Sequence, residues 1–213
     1  MKHFVVIANA YKDRDFALTN KIVAYIEQKG GTAKGLMSNV EAISDNEFEL
    51  EDIPQDTQCI LVLGGDGTLI RAATRVETLE IPLMGVNLGT LGYLCEVEEA
   101  TVFDAIDSLM ADKYMTEDRI MLTGHKRGSE TSRVALNDIV IHRKGDDEIE
   151  IEILSRREQN DELACVSYDG DTTAELAVGD RFVISKAANH TKICKLHQRS
   201  FLEILRKKMG NYS

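Results

Sequence analysis

The sequence has no long hydrophobic run and fewer basic than acidic residues. No apolar stretch approaches the roughly 20 residues that a membrane-spanning helix needs. The apolar stretch near the N-terminus is also shorter than the ~7–15 residues of a signal peptide. The formal net charge is −11, which argues against nucleic-acid or anionic-membrane partners because both require a basic surface. We therefore expect a cytoplasmic protein with no nucleic-acid and no membrane partner.

Cysteine is also scarce, and its spacing forms no paired motif. The four residues Cys59, Cys95, Cys165 and Cys194 are scattered along the chain. Cys194 and His197 have ligand-like spacing, but no second pair accompanies them, so no metal site is certain. Reduced thiols are the expected state.

The hydrophobic pattern changes near residue 113. Before it, apolar strands alternate with segments of helical period, which predicts an α/β domain with a Rossmann-like, doubly wound parallel sheet over residues 1–112. After it, alternation at period 2 predicts an all-β domain over residues 113–197. A closing helix at 198–213 is expected to return to the first domain. The predicted strands are 4–7, 59–63, 83–86, 134–142, 149–153, 164–168, 182–185 and 193–196, and residues 39–58 are predicted to form a loop.

A glycine-rich turn follows the most apolar short run of the chain. The run Cys59–Leu63 leads into Gly64-Gly65-Asp66-Gly67-Thr68 and then a helical stretch. This order of strand, turn and helix offers backbone N–H groups to a phosphate, and glycine lets an anion approach without a Cβ in the way. We expect Thr68 to cap the helix and to contact a phosphate oxygen.

The single acid among these glycines indicates phosphoryl transfer. A carboxylate beside phosphates is repulsive unless it binds a metal or takes a proton from an attacking hydroxyl, so Asp66 is predicted to be the catalytic base. The structural alternative is a turn whose acid merely caps the following helix.

Two further motifs follow predicted strands. Asn87 begins the turn Asn-Leu-Gly-Thr-Leu-Gly-Tyr-Leu, which neighbouring parallel strands would place beside the first turn as the second wall of a cleft. Tyr93 is a candidate to stack on a nucleotide base or to be a buried aromatic. Asn137 and Asp138 lie in an otherwise apolar strand, either capping a loop or binding a ribose or carboxamide.

These three motifs, in this order and spacing, resemble the NAD kinases. The closing pattern is also similar, with Tyr168-Asp-Gly-Asp171, Gly179-Asp180 and a final helical segment at 200–209. The resemblance implies transfer of the terminal phosphoryl group of ATP to the 2′-hydroxyl of the adenosine ribose of NAD, with a divalent cation, Mg²⁺, as cofactor. It also implies NAD and ATP as ligands, and we expect a homodimer or homotetramer.

The resemblance also assigns residues to the site. Asp66 is the base, and Gly67 and Arg71 lie along the nucleotide phosphates. Asn137 and Asp138 hold the acceptor NAD, and Asp171 in the closing hairpin is a further NAD-binding candidate. The family often has Glu at the second position of the Asn-acid pair, so the shorter Asp138 would reach its ligand differently.

One departure from the family concerns residues 143–148. The family carries a proline-bearing loop between the Asn-acid strand and the closing strands, and the chain has only Pro54 and Pro82. Several tens of residues are therefore missing near 143–148. The explanations are an engineered deletion, a naturally shortened homologue, or disordered residues passed over in the numbering. We favour the last, because excision of core strands leaves a β-domain unable to close its sheet.

Three rival functions follow from the same motifs. Diacylglycerol- and sphingoid-type lipid kinases also carry GGDGT, but no apolar surface-helix signal accompanies it here. A non-catalytic NAD or ATP sensor would follow from a true loss of the acceptor loop. A scaffold with a vestigial site is the third, and an intact Asp66 argues against it.

Overall fold

The computed structural model describes residues 1–38, 48–89, 92–143, 164–176 and 180–197, together with 202, 203, 205 and 206. Two compact units divide the chain: Met1–Arg119 with Thr191–Ser213, and Ile120–His190. The strands and helices are, in chain order, β1 (His3–Asn9), α1 (Ala17–Gln28), β2 (Thr32–Ser38), β3 (Cys59–Gly64), α2 (Asp66–Arg75), β4 (Leu83–Asn87), β5 (Val97–Glu98), α3 (Val102–Met110), β6 (Met115–Lys126), β7 (Arg133–Ala135), β8 (Ile139–Arg143), β9 (Ala164–Tyr168), β10 (Asp171–Leu176) and β11 (Phe182–Lys195).

The first unit is built on a parallel sheet. Its strands lie in the order β2-β1-β3-β4, all parallel, and the end of β11 joins β4 through Ile193, which pairs with Leu83. Strand β5 adds a short parallel pairing on β4. Parallel strands need crossover helices, and the chain supplies α1 between β1 and β2 and α2 between β3 and β4. The predicted α/β fold class is confirmed.

Helices cover both faces of this sheet, which explains the continuous apolar run of β3. Leu61 and Leu63 share one core cluster with Ile22 of α1 and Ile106 of α3. On the other face, a Cβ at Gly85 of β4 would lie 3.0 Å from Leu69 of α2. Every residue of β3 is therefore buried, as expected for a central parallel strand.

The second unit is antiparallel. Strand β6 pairs with β7, and β9 lies between β8 and β10 in a separate three-stranded sheet. Its core includes Ala135, Val166 and Tyr168, with Phe182 packed against them. The period-2 pattern thus predicted this β-rich unit correctly.

Several local strand predictions differ from the structure, and the single strand predicted at 134–142 is two strands, β7 and β8, with Asn137 and Asp138 between them. Residues Thr32–Ser38 form the edge strand β2, which the sequence analysis missed because most of this segment is exposed and carries no apolar alternation. The two strands predicted at 182–185 and 193–196 are one strand, β11, whose exposed middle hides its continuity. The predicted strand 149–153 and most of the predicted closing helix 198–213 lie outside the described residues.

Candidate active site

The first glycine-rich turn joins β3 to α2. Strand β3 ends at Gly64, Gly65 is the N-cap in an extended conformation, and α2 begins at Asp66. The first N–H groups of a helix have no intrahelical partner, so this end of α2 offers donors to an anion. Gly67 is exposed, and a Cβ placed on it would meet nothing within 4 Å. The first turn of α2 is therefore open at Gly67.

Thr68 lies on the inner side of this turn. Its side chain is buried, at 5% exposure, and its hydroxyl accepts a hydrogen bond from the side-chain amide of Asn9 at 3.3 Å. A Cβ at Gly64 would lie 2.6 Å from the Cβ of Thr68, so only glycine fits at position 64. The prediction that Thr68 caps α2 is wrong, because the helix begins two residues earlier with no side-chain cap.

The second glycine turn lies directly beside the first. In the β3–β4 ladder Gly64 pairs with Asn87, and the N–H of Leu88 donates to the carbonyl of Gly64 at 2.8 Å. Asn87 is buried, and its side-chain oxygen accepts the N–H of Gly89 at 3.1 Å. The predicted adjacency of the two turns is confirmed.

The carboxylate of Asp66 is bound by the backbone of this second turn. It accepts N–H groups from Tyr93 at 2.6 Å, Leu94 at 3.0 Å and Cys95 at 3.2 Å. A Cβ on Gly92 would overlap the carboxylate, lying 2.5 Å from its Cγ. The backbone of the second turn therefore holds both oxygen atoms of this carboxylate. The sequence analysis assigned this acid a role but not these partners.

The carboxylate of Asp66 also affects the pKa of the Cys95 thiol. Burial, with the carboxylate of Asp66 nearby, raises the pKa of the Cys95 thiol to about 12. Its side chain is 1% exposed. Cys95 is therefore a neutral packing residue near neutral pH, and it contributes no nucleophile to the site.

Lys12 is a residue of this edge that the sequence analysis missed. It lies in the loop after β1, and its ammonium donates to the carbonyl of Gly64 at 3.4 Å. The Nζ atom lies 3.2 Å from the Cβ position of Gly65 and 3.5 Å from that of Gly89. The sequence signal was its place after β1, since the carboxyl ends of β1, β3 and β4 meet at one edge.

The other predicted residues of this unit lie near the turns. Arg71 is half-buried in the second turn of α2. Tyr93 is 37% exposed, so it is not a buried core aromatic. Their contacts with a nucleotide stay predictions.

In the second unit, one carboxylate organises the Asn-Asp motif. Asp169 accepts the N–H groups of Leu136 at 2.8 Å, Asn137 at 2.7 Å and Asp138 at 2.9 Å. It adopts φ +49° in the turn after β9. Asn137 and Asp138 are exposed, which leaves their side chains open to a ligand. Asp171, the predicted residue of this hairpin, is exposed at the start of β10.

No group of three or more His, Cys, Asp or Glu side chains that would hold a metal occurs among the described residues. Nor does that part of the chain contain a helix with the length and apolar character needed to cross a membrane.

Comparison with known proteins decides the family. A family model described as the ATP-NAD kinase N-terminal domain matches residues 4–114. The chain belongs to the NAD kinase family. It is 75% identical over 283 aligned positions to the NAD kinase of Agathobacter rectalis, covering all of both chains. It is 29% identical to the NAD kinase of Lachnoclostridium phytofermentans, covering 99% of this chain and all of that one.

A solved NADH kinase has the same fold. Yeast NADH kinase in complex with NADH superposes with a TM-score of 0.64 at 15% sequence identity, covering 100% of this chain and 89% of that one. At this identity the likeness shows the fold alone.

The alignment to the Agathobacter NAD kinase also bears on the missing segment. It spans 283 positions and this chain has 213 residues, so at least 70 positions of the alignment hold no residue of this chain. Since 75% of 283 is about 212, nearly every residue of the chain has an identical counterpart there. The gap is predicted at 143–148, and all of these residues except 143 lie outside the described residues. Its position and its cause therefore stay predictions.

Proposed function

We propose that the chain is an NAD kinase that transfers the terminal phosphoryl group of ATP to the 2′-hydroxyl of the adenosine ribose of NAD, giving NADP. One observation carries this proposal. The carboxylate of Asp66 is fixed by three backbone N–H groups at the exposed end of a phosphate-binding type of turn. An acid at this position is useful to a reaction that needs both bound phosphates and a proton acceptor.

The phosphate chain of ATP is assigned to the first turn of α2. Gly64, Gly65 and Gly67 let a phosphate reach the backbone, and the free N–H groups of the helix N-terminus stabilise its charge. Arg71 on the same helix is assigned to the nucleotide phosphates as a further cation. Thr68, in the first turn of the same helix, is assigned to the same phosphates.

Asp66 is assigned the proton transfer. As the 2′-oxygen of NAD attacks the terminal phosphorus, its O–H bond breaks and the proton moves to the carboxylate. The new O–P bond forms while the bond between the terminal phosphorus and the bridging oxygen of ADP breaks, and ADP leaves. The Oδ2 atom accepts one backbone N–H and the Oδ1 atom accepts two, so Oδ2, which has fewer backbone donors, is assigned as the proton acceptor.

The acceptor NAD is assigned to the second motif group. Asn137 and Asp138 offer an amide and a carboxylate, which suit ribose hydroxyls and a carboxamide. Asp171 is a further candidate. In the other unit, Tyr93 is assigned to a nucleotide base and Asn87 to shaping the turn that carries it.

A divalent cation, Mg²⁺, is proposed as cofactor. Mg²⁺ is usually held by one or two carboxylates together with substrate phosphates and water. The turn assigned to the phosphates carries one carboxylate, that of Asp66, which is the kind of ligand that this mode uses. When bound, the cation would neutralise charge on the transferring phosphoryl group.

The second candidate is an NAD- or ATP-binding homologue without turnover, and the 70 or more unmatched positions favour it. The family assignment speaks against the lipid kinases.

The test is NADP formation from ATP and NAD with Mg²⁺, on protein whose mass is confirmed. Formation of NADP, abolished by EDTA, supports the enzyme, whereas nucleotide binding without NADP supports the homologue.

We also propose a cytoplasmic homodimer or homotetramer. An edge strand such as β2 leaves backbone groups that a second copy can pair with. Light scattering of the purified chain measures the subunit number directly.

A further inference from the structure

We propose that Lys12 binds the phosphate chain of the donor, with its ammonium placed between the two glycine turns. The inference rests on the proposed kinase function, and it names a residue that the motif analysis did not contain. The chemistry it recognises is a chain of linked phosphates, which ATP and inorganic polyphosphate share.

The position of the ammonium carries the argument. Lys12 Nζ donates to the carbonyl of Gly64 at 3.4 Å, and it lies 3.2 Å and 3.5 Å from the Cβ positions of Gly65 and Gly89. Since Gly65 is the N-cap of α2, the ammonium lies beside the start of this helix, whose first N–H groups have no intrahelical partner. An anion bound there meets both.

The loop that carries Lys12 is fixed on each side of it. Before it, the side-chain oxygen of Asn9 accepts the N–H of Tyr11 at 3.0 Å and of Lys12 at 3.3 Å. After it, the buried carboxylate of Asp13 accepts the N–H of Leu18 at 2.8 Å and of Thr19 at 2.9 Å. The backbone of Lys12 is therefore held, and the long side chain starts from a defined place.

The ammonium has donors to spare. A lysine ammonium carries three N–H groups, and in the part of the chain that the structure describes its side chain makes one long hydrogen bond to a neutral carbonyl. No carboxylate within ion-pair distance of it occurs among those residues. A cation without an acidic partner matters in a chain of net charge −11, because the rest of the molecule repels phosphates.

The experiment compares three variants. Lys12→Met removes the charge and keeps the length of the side chain, and Lys12→Arg keeps the charge. Lys21→Met is the matched control, because Lys21 is an exposed lysine on α1 and its loss changes the net charge by the same amount. Calorimetric titrations use ATP, tripolyphosphate and adenosine, and steady-state NADP formation gives KM for ATP and for NAD.

The expected result is selective for phosphates. Loss of one hydrogen bond to a charged group weakens binding by about 10- to 100-fold. Lys12→Met should therefore lose ATP affinity by this factor and raise KM for ATP, while adenosine affinity, KM for NAD and the unfolding midpoint stay unchanged. Lys12→Arg should recover most of the loss. A parallel loss for tripolyphosphate assigns the contact to the phosphate chain and allows a polyphosphate donor, whereas binding of ATP but not tripolyphosphate restricts the site to the nucleotide.

Three outcomes would overturn the proposal: unchanged ATP affinity in Lys12→Met, an equal loss in Lys21→Met, or no ATP or tripolyphosphate binding by the unaltered chain. Failure of the proposed function can be told apart from failure of the Lys12 proposal. An unaltered chain that binds ATP but forms no NADP refutes the activity, and the ATP titrations still decide the role of Lys12.

Discussion

Replacing Gly92 by alanine tests whether the second glycine turn holds the carboxylate of Asp66, the proposed base, in place. The new methyl group would lie 2.5 Å from Cγ and 2.8 Å from Oδ2 of Asp66, well inside the roughly 3.5 Å contact distance of non-bonded heavy atoms. The methyl group belongs to the backbone of the turn, so the carboxylate must move away. Gly92→Ala thus displaces the acid without changing its chemistry.

The size of the effect follows from the three hydrogen bonds that Asp66 accepts. Hydrogen bonds to charged groups contribute about 1.5–3 kcal/mol each. In the variant, water can replace the hydrogen bond donated by the exposed Tyr93. The N–H groups of Leu94, which is half-buried, and of Cys95, which is buried, are left without a partner. We therefore expect the loss of these two hydrogen bonds to lower the free energy of unfolding by about 3–6 kcal/mol. Turnover should fall by at least about 100-fold, the smallest contribution usual for a general base.

Urea unfolding and NADP formation measure the two effects, with turnover assayed at a temperature where circular dichroism shows the variant folded. Gly89→Ala is the matched control for stability, because its methyl group meets Lys12 Nζ at 3.5 Å, an ordinary contact. It should change the free energy of unfolding by no more than about 0.5 kcal/mol. If Gly92→Ala unfolds and turns over like the unaltered protein, the turn does not hold Asp66 in the way described.

Three further predictions concern single side chains. Asp66→Asn should lose turnover by at least about 100-fold but only about 1 kcal/mol of stability, with ATP affinity equal or better because a negative charge is removed; turnover near that of the unaltered protein would exclude Asp66 as base. Asp169→Ala should lower the free energy of unfolding by about 2–3 kcal/mol and raise the rate of amide hydrogen exchange at Asn137. An unaltered exchange rate would show that Asp169 does not hold the backbone of Asn137. Burial raises the pKa of the Cys95 thiol from 9.0 to about 12, so the stability that the neutral thiol contributes is complete below pH 9 and is lost as the pH rises toward 12. The free energy of unfolding, measured in urea, should therefore fall less steeply between pH 9 and 11 in Cys95→Ala than in the unaltered protein, by up to about 1.4 kcal/mol per pH unit. Equal slopes in the two proteins would refute this link between the thiol and stability.

The sheet and its glycine turns were predictable because their signals are local. The run Cys59–Leu63 is long and apolar, and three glycines around one acid follow it directly. The rule that parallel strands end at one edge then places Asn87 beside Gly64, as the ladder shows. Strand β2 escaped prediction because an exposed edge strand needs little apolar sequence.

The partners of the site residues were not predictable, since they depend on pairing across the chain. Lys12 and Gly64 are 52 residues apart and meet because β1 and β3 are adjacent. Asp169 and Asn137 are 32 residues apart and meet because β8 pairs with β9. The sequence of one strand does not identify the strand that pairs with it, so these contacts could be found only from the structure.

The most direct test of the account is the conversion of NAD to NADP by the 213-residue chain itself, at a mass confirmed by spectrometry and with ATP and Mg²⁺ present. We expect NADP to form at a rate that Asp66→Asn abolishes. A folded chain of that mass that binds ATP and NAD but forms no NADP would contradict the claim that this turn and its acid make a working phosphotransferase.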